Sequence, residues 1–593
     1  MKARFDVVIR SGTIADGAGG PLFEGDVAMQ DGLIAEVGHF PGNAAMEVDA
    51  KGLLVTPGFI DIHTHYDGQA TWDQRLTPSS WHGVTTAVMG NCGVGFAPVR
   101  PADRKLLMDF MEGVEDIPGA VLEEGLAWNW ESFGDYLGAL EQVDRDMDIC
   151  AQLPHGPLRL YVMGGRAARL EAATPADIAA MRDIARDAMR LGAIGFSTSR
   201  TLNHRSSTGE ASPGLRAAED ELLGIALGLK DARHGVFQWI SDWDTPDLQT
   251  EFAMMCSLAE RSNRPFSYSL GQRHATPHVW KELLDRTRKA VDAGLNIRAQ
   301  VSPRAVGVLL GLQGSLNPFS DYPSYRGIAD KSLAERVAIM RTPAFRAQLL
   351  SERPADDTSP IARRLRSYEY LFPLGNPPNY QPTRDSSIAH SAAAQNRPPE
   401  DVAYDMLLED GGRNFIFGPI ANYADYNLDV CREMIIDKNT LMGLGDGGAH
   451  VSIISDSNYT TFLLTHWGRD CVKGRLDLEW LIKRQTWDNA QFFGLLDRGL
   501  VRPGMKADLN LIDFDQLASG RPYMAADLPA GGKRLLQKAQ GYRMTLVNGT
   551  PTYVDGEATG ALPGRLVRGA RVAGQKTPSS AGRKSPASIA GTT

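Results

Sequence analysis

Eight short apolar runs recur between residues 59 and 446, and helix-like segments separate most of them. This alternation is typical of βα units that build a parallel sheet, and eight such units can close into a barrel. The sequence therefore predicts an α/β protein with a (β/α)8 TIM-like barrel. The candidate strands are 59–65, 84–92, 148–155, 193–199, 235–241, 265–270, 296–302 and 441–446, and 414–418 is a ninth candidate for eight places.

Both ends of the chain have a different sequence pattern from the middle. Residues 5–55, and much later 507–514 and 544–557, alternate apolar and polar side chains between turn signals such as Asn-Gly and Asp-Gly. Such runs predict short β-strands joined by tight turns. We expect residues 1–56 and 500–570 to pair into a small β-sandwich domain beside a barrel of residues 57–499.

Two further segments stand apart by composition. Residues 303–413 are rich in Pro and Arg and are too long for a simple loop, so we expect an insertion that caps the barrel mouth. Residues 575–593 are rich in Ser, Gly and Pro, which predicts a disordered tail.

The bulk composition narrows the class of partner. The net charge of −9 weighs against nucleic acid or an anionic membrane, since both require a concentrated basic face. No stretch reaches the roughly 18 apolar residues of a membrane helix, and the N-terminal residues lack an apolar secretion signal. Five scattered cysteines without CxxC spacing indicate a reducing cytoplasm. We therefore expect a cytoplasmic protein with a small-molecule partner, of a barrel type that often forms homo-oligomers.

Three features at strand ends predict a metal site. His63 and His65 follow a buried run two residues apart, so both imidazoles can face the barrel interior at its mouth and bind zinc. Asp446 ends the last candidate strand, where a carboxylate can serve as metal ligand and general base. Cys92 closes the second strand and can bind zinc as a thiolate. The alternative interpretations are that the two histidines are ordinary polar residues at a strand end, that Asp446 is a turn residue before Gly-Gly, and that Cys92 is a small apolar core residue.

Four longer motifs resemble the amidohydrolase superfamily, and within it the N-acyl-D-amino-acid deacylase branch. They are PGFIDIHTHYDGQATWD (57–73), SSWHGVTTAVMGNCGVGFAP (79–98), WNWESFGDYLGALE (128–141) and RGLVRPGMKADLNLIDFDQL (498–517). The resemblance covers most of residues 5–515. It implies a distorted barrel with a β-sandwich, zinc, and hydrolysis of an amide between an acyl group and a D-amino acid. It also implies that His63, His65 and Cys92 are metal ligands and that Asp446 is the catalytic aspartate.

The chain departs from this family on two strands. The family has a His on strand five, where GVFQWISDW places Gln238 or Trp239, and its strand-six SHxK pattern is replaced by SLGQRH. One ion held by His63, His65, Asp446 and Cys92 is then the simplest arrangement, although one or two zinc ions per chain stay open. The histidines that could supply an extra ligand are His274 and His204. The family's substrate-binding Lys is also missing, and Arg273 is the candidate replacement because its guanidinium suits a carboxylate.

Two more sets of residues have both a functional and a structural interpretation. His155 and Arg159 resemble the family's GHxxxR segment, where a His can donate to a developing oxyanion, or they support a loop. Trp239 belongs to a set of tryptophans that either line an apolar acyl pocket or fill the core, with Trp128, Trp130 and Trp243.

The sequence as a whole predicts a metal-dependent amidohydrolase that cleaves an N-acyl (D-)amino acid or a related N-acyl compound. A metal-activated water would attack the carbonyl while Asp446 acts as general base and then as general acid. A cyclic amide, lactone or other ester is an alternative substrate for the same site. A catalytically silent scaffold is a second alternative, which the two missing histidines motivate. The acyl chain, the leaving group and its chirality stay open.

Overall fold

A parallel eight-stranded barrel sheet forms the centre of the computed structural model, which describes residues 4–243, 248–356 and 360–572. A bridge between Thr64 and Gly447 joins the first and last strands and nearly closes the barrel. Each strand lies within one of the eight predicted runs or overlaps it, so the predicted fold class is confirmed. In order, the barrel strands are Phe59–Asp61, Val84–Met89, Asp148–Pro154, Gly195–Arg200, Val236–Ser241, Phe266–Ser269, Ile297–Val301 and Thr440–Met442.

The barrel strands are buried on both faces, and polar residues such as Thr86 and Gln152 are buried in them together with the apolar ones. Their outward side chains pack under the surrounding helices, as Phe237 does when it stacks on Phe266 with ring centroids 4.6 Å apart. The longer helices of this layer are Arg104–Glu115, Gly119–Gly125, Phe133–Glu141, His155–Met163, Pro175–Leu191, Glu219–Ala232, Leu248–Ser262, Val279–Asp292, Asp429–Ile436, Leu478–Gln485 and Trp487–Phe492.

The two ends of the chain build one nine-stranded sheet beside the barrel. Its strand Leu54–Pro57 pairs antiparallel with Leu509–Ile512 and is separated from the first barrel strand by Gly58 alone. A Cβ on Gly58 would lie 2.1 Å from Thr85 Oγ1, so only glycine permits this close approach. The remaining strands are Phe5–Ile14, Phe23–Gln30, Leu33–Gly38, Ala44–Asp49, Tyr542–Val547, Thr550–Val554 and Glu557–Ala558.

The segment predicted as an insertion has an apolar core of its own, separate from the cluster around the barrel. A three-stranded sheet organises it, and its strands are Val306–Leu310, Phe372–Pro373 and Ile416–Ala421. The ninth candidate run, 414–418, therefore belongs to this sheet and not to the barrel. Its helices are Pro323–Arg326, Leu333–Met340, Pro343–Ser351, Pro360–Leu365, Ile388–Gln395 and Pro399–Leu408.

Two sequence predictions concern other parts of the chain. In the ranges that the structure describes, none of the helices is long and apolar enough to cross a membrane. The tail predicted over 575–593 lies outside the described residues.

A buried histidine links the barrel to the C-terminal segment and makes the stability depend on pH. His82 lies 2.8 Å from Thr461 Oγ1 through Nδ1 and 3.0 Å from the Gln537 carbonyl oxygen through Nε2. These contacts suit a neutral ring that donates from Nε2, and burial lowers the pKa of His82 to about 4. Because the folded state prefers the neutral ring, this contribution is fully present above pH 6.5 and is lost as the pH falls towards 4.

We expect His82→Asn to reduce this acid sensitivity. Between pH 6.5 and 4, the free energy of unfolding of the wild type should fall by about 3 kcal/mol more than that of the variant. Urea titrations of both proteins across this range measure the difference. Equal losses in the two proteins would contradict the assignment.

Candidate active site

His63, His65 and Cys92 meet at the mouth of the barrel. One ligand atom from each lies within 4.8 Å of the other two, and all three side chains are buried. His63 Nε2 is 3.2 Å from Cys92 Sγ. The two histidines follow the first barrel strand and Cys92 follows the second, so neighbouring parallel strands bring their carboxyl ends together. The structure thus assembles the three predicted ligands in one place.

Asp446 follows the last barrel strand and lies against the two histidines, which follow the first. Its Oδ1 is 3.5 Å from His63 Nε2 and 3.9 Å from His65 Nε2. Its backbone N–H donates to the His63 carbonyl oxygen at 3.1 Å, and its φ of +46° turns the chain sharply after the last strand. The carboxylate is 17% exposed and borders a small cavity, so it can meet both an ion and a substrate.

The charges of this cluster suit a divalent cation. Burial, with the neighbouring Glu115 and Asp446 carboxylates, raises the pKa of the Cys92 thiol well above its usual value. Burial and the neighbouring His63 lower the pKa of His65 well below its usual value, so its ring is neutral and ready to coordinate. Within the described residues, no Lys or Arg pairs with Asp446 or Glu115. Imidazole, thiolate and carboxylate together are a donor set that zinc accepts.

Two glutamines from the barrel interior hold the ligands in place. Gln300 Oε1 is 2.7 Å from His63 Nδ1, and its amide nitrogen donates to Ser267 Oγ at 3.0 Å. Gln238 Oε1 accepts the backbone N–H of Cys92 at 3.1 Å. Gln238 is therefore the strand-five residue that faces the site, whereas Trp239 points to the opposite side of the sheet.

An apolar cavity of about 150 Å³ lies at the ends of barrel strands five and six. Leu270 occupies the position where the resemblance leads us to expect a strand-six histidine, and it lines this cavity with Ile240 from strand five. Leu444, two residues before Asp446, lines it as well, and Arg273 borders it with NH2 3.2 Å from Asp242 Oδ1. Leu270 on strand six and Gln238 on strand five thus stand where the resemblance leads us to expect histidine ligands. The other lining residues are Ser241, Trp243, Ser269, Gly271, Thr276, Val279, Leu283, Val306, Ala421 and Asn422.

Two predicted substrate contacts, His155 and Arg159, are engaged by another residue of the protein. Both side chains are buried in the helix layer and bind the same carboxylate, since His155 Nε2 and Arg159 Nε lie 2.9 and 2.8 Å from Glu221 Oε1. His155 Nδ1 is 2.8 Å from Thr198 Oγ1, so neither ring nitrogen is left for an oxyanion. These contacts favour the structural interpretation of this segment.

Trp239 and His274 lie apart from the three-ligand cluster, whereas His204 is near it. Trp239 is fully buried in the outer core, so it does not line the cavity. His274 packs on Tyr370 with ring centroids 4.4 Å apart. His204 is close enough for the charges of His450 and His63 to help burial lower its pKa to about 4, but its Nδ1 is engaged by Ser199 Oγ at 2.9 Å.

Glu115 and His450 also lie at the site, although they were not among the residues predicted from the sequence. Glu115 Oε1 lies 3.2 Å from His65 Nδ1, and its Oε2 lies 3.6 Å from His450 Nε2. A signal existed, because the helix Arg104–Glu115 buries an apolar stripe that includes Met111, and Glu115 is four residues further on the same face. An acidic residue within an apolar stripe is a candidate for a buried function.

Comparison with known proteins gives the same family and fold. The model of the amidohydrolase family matches residues 46–553. D-aminoacylase from Alcaligenes xylosoxydans xylosoxydans is 26% identical over 569 residues, which cover 95% of this chain and 97% of the relative. A solved D-aminoacylase structure, described with a binuclear metal centre, is 22% identical with a TM-score of 0.64 over 96% of this chain and 100% of its own. N-acyl-D-glutamate deacylase from Bordetella bronchiseptica, solved with zinc and a phosphonate inhibitor, is 21% identical with a TM-score of 0.64 over 95% and 99%.

Proposed function

Because this chain belongs to the amidohydrolase family and acts as a hydrolase on carbon–nitrogen bonds other than peptide bonds, we propose that it removes the acyl group from N-acyl-D-amino acids. The convergence of His63, His65 and Cys92 within 4.8 Å of one another, with Asp446 against them, carries this proposal. A catalytically silent scaffold would have no need to keep four such donors in one buried place.

We propose that the four donors His63, His65, Cys92 and Asp446 hold one zinc ion per chain. When bound, zinc would supply a Lewis acid for the amide carbonyl and would lower the pKa of water towards neutrality. We propose a single ion because Gln238 and Leu270 stand where the resemblance leads us to expect further histidine ligands on strands five and six.

The protein's own residues supply the proton transfers. Asp446 accepts a proton from the attacking water and delivers it to the leaving nitrogen, because its carboxylate lies beside the ligand histidines and also reaches a cavity. Gln300 keeps His63 oriented through the contact at Nδ1. Asp446 thus combines the roles of ligand, general base and general acid.

The apolar cavity favours an apolar group on the substrate. Ile240, Trp243 and Leu270 form its walls, and Arg273 is already engaged by Asp242 at 3.2 Å. A second carboxylate in this cavity would find little uncompensated positive charge. We therefore propose N-acyl derivatives of apolar D-amino acids as substrates.

The cellular compartment and the oligomeric state are also proposals. All five cysteines are free in the structure, which supports a cytoplasmic location. Association into a homo-oligomer stays a prediction.

A substrate panel tests the proposed function. The zinc-loaded enzyme would be assayed with N-acetyl-D-leucine, N-acetyl-L-leucine, N-acetyl-D-aspartate, a cyclic amide and a lactone. We expect the highest kcat/KM for N-acetyl-D-leucine. Preference for the lactone or the cyclic amide would replace the proposed substrate class, and no turnover of any compound by metal-loaded protein would favour the silent scaffold.

A further inference from the structure

A carboxylate outside the four-donor set lies between two histidines. Glu115 is the last residue of the helix Arg104–Glu115, and only 1% of it is exposed. Its Oε1 lies 3.2 Å from His65 Nδ1 and its Oε2 lies 3.6 Å from His450 Nε2. The helix thus carries one acidic side chain into the wall of the metal centre.

The surroundings of Glu115 leave it no other partner. Across the ranges that the structure describes, these two imidazoles are the only basic groups within 4.0 Å of its carboxyl oxygens. Neither Glu115 Oε2 nor His65 Nδ1 forms a hydrogen bond in that part of the chain, so the 3.2 Å approach of His65 Nδ1 to Glu115 Oε1 is a close contact that is not aligned as a hydrogen bond. A buried carboxylate without compensation is costly, so the contact with His65 has a function beyond packing.

The two ring nitrogens of His65 face different groups. Nδ1 is next to Glu115, whereas Nε2 is 3.9 Å from Asp446 Oδ1 on the side where the ligands converge. His63 has the same division, with Nδ1 on Gln300 Oε1 and Nε2 towards Cys92 and Asp446. A metal-bound histidine typically donates its other N–H to a carboxylate or carbonyl, which fixes the tautomer and strengthens the ligand.

We propose that Glu115 is the positioning residue of the metal centre. When a metal is bound, Glu115 would accept the Nδ1–H of His65 and so leave Nε2 free to serve as a ligand, and its second oxygen lies beside His450 at the barrel mouth. His450 is 28% exposed, so this contact places an imidazole where substrate enters. The inference rests on the metal site of the proposed function, although not on the identity of its substrate.

Metal affinity is the readout that separates positioning from a purely structural role. Apo protein would be titrated with Co²⁺, followed by its visible absorption, and with Zn²⁺ in competition with a chelator. We expect Glu115→Gln to weaken the affinity about 10- to 100-fold while the number of sites stays unchanged. Glu115→Asp keeps the charge, so its metal affinity should lie between that of Glu115→Gln and that of the wild type.

Two further variants serve as controls. Glu123→Gln removes an exposed carboxylate from the neighbouring helix Gly119–Gly125 and should leave the affinity at the wild-type value. His450→Asn should also leave metal affinity near the wild-type value, but it should lower kcat for the N-acyl substrate. This split would show that Glu115 acts through His65 at the ion and through His450 at the mouth.

The metal titrations either support or overturn the role of Glu115. Wild-type metal affinity in Glu115→Gln, with the far-ultraviolet circular dichroism unchanged, would overturn the proposal. If Glu115→Gln does not fold, the titration of Glu115→Asp decides, and wild-type affinity there would overturn it equally. Failure of the enzyme to hydrolyse any N-acyl amino acid would refute the proposed function, whereas the comparison of metal affinities would still stand because it needs no substrate.

Discussion

Asp446→Asn is expected to remove nearly all amide hydrolysis. The substitution keeps the shape of the side chain, but an amide cannot accept the proton of water or return it to the leaving nitrogen. General acid–base catalysis contributes roughly 10²- to 10⁴-fold to a rate, so we expect kcat/KM to fall by at least about 100-fold. The measurement is the hydrolysis of N-acetyl-D-leucine by variant and wild type after both are loaded with zinc.

Metal content must be measured on the same samples, because Asp446 is also a proposed ligand. A variant that retains its zinc and loses turnover would assign the loss to proton transfer. Asp515→Asn is a matched control, since Asp515 is exposed and far along the chain from the four donors. If Asp446→Asn kept more than about a tenth of the wild-type activity, Asp446 would no longer be the general base, given the size of such contributions.

His63→Ala/His65→Ala is expected to remove the metal together with the activity. The double substitution takes two of four donors from a site in which zinc requires about four ligands or three and a water. Wild-type protein purified without chelator should contain about one zinc ion per chain, and the variant should contain almost none. Elemental analysis of both proteins after gel filtration gives the two values.

Two exposed histidines provide the control for this experiment. His39→Ala/His390→Ala removes the same number of imidazoles from the surface and should leave the zinc content unchanged. Two zinc ions in the wild type would show that donors outside the four form a second site. No zinc in the wild type, and none taken up when it is supplied, would refute the metal-dependent mechanism.

The fold was largely predictable because barrel strands are buried on both faces. Runs such as Val84–Met89 contain only buried residues, four of them apolar and two of them threonine, and this leaves a mainly apolar signal in the sequence. The metal ligands were predictable for a related reason, since His63 and His65 directly follow such a run. The ninth apolar run could not be excluded in advance, because 414–418 pairs in an insertion with its own core.

Contacts between distant parts of the chain were not predictable. His155 and Arg159 had the pattern of a functional pair, but Glu221, from another helix, binds both side chains. Glu115 reaches His65 across fifty residues of sequence. Whether Gln238 or Trp239 faces the site depends on which of the two side chains points into the barrel, because adjacent residues face opposite sides of a sheet. The sequence alone did not show this.

The sheet that joins the two ends of the chain has a consequence for biosynthesis. Ser80 Oγ lies 3.0 Å from the hydroxyl of Tyr553, which is 473 residues later in the sequence. The strand Leu54–Pro57, one residue before the first barrel strand, likewise pairs with Leu509–Ile512, which is made more than 450 residues later. At a synthesis rate of about 5 to 20 residues per second, the segment that carries His63 and His65 waits roughly 20 to 90 seconds for this support. The four donors can therefore be held in their final arrangement only after the strand Leu509–Ile512 has been synthesised.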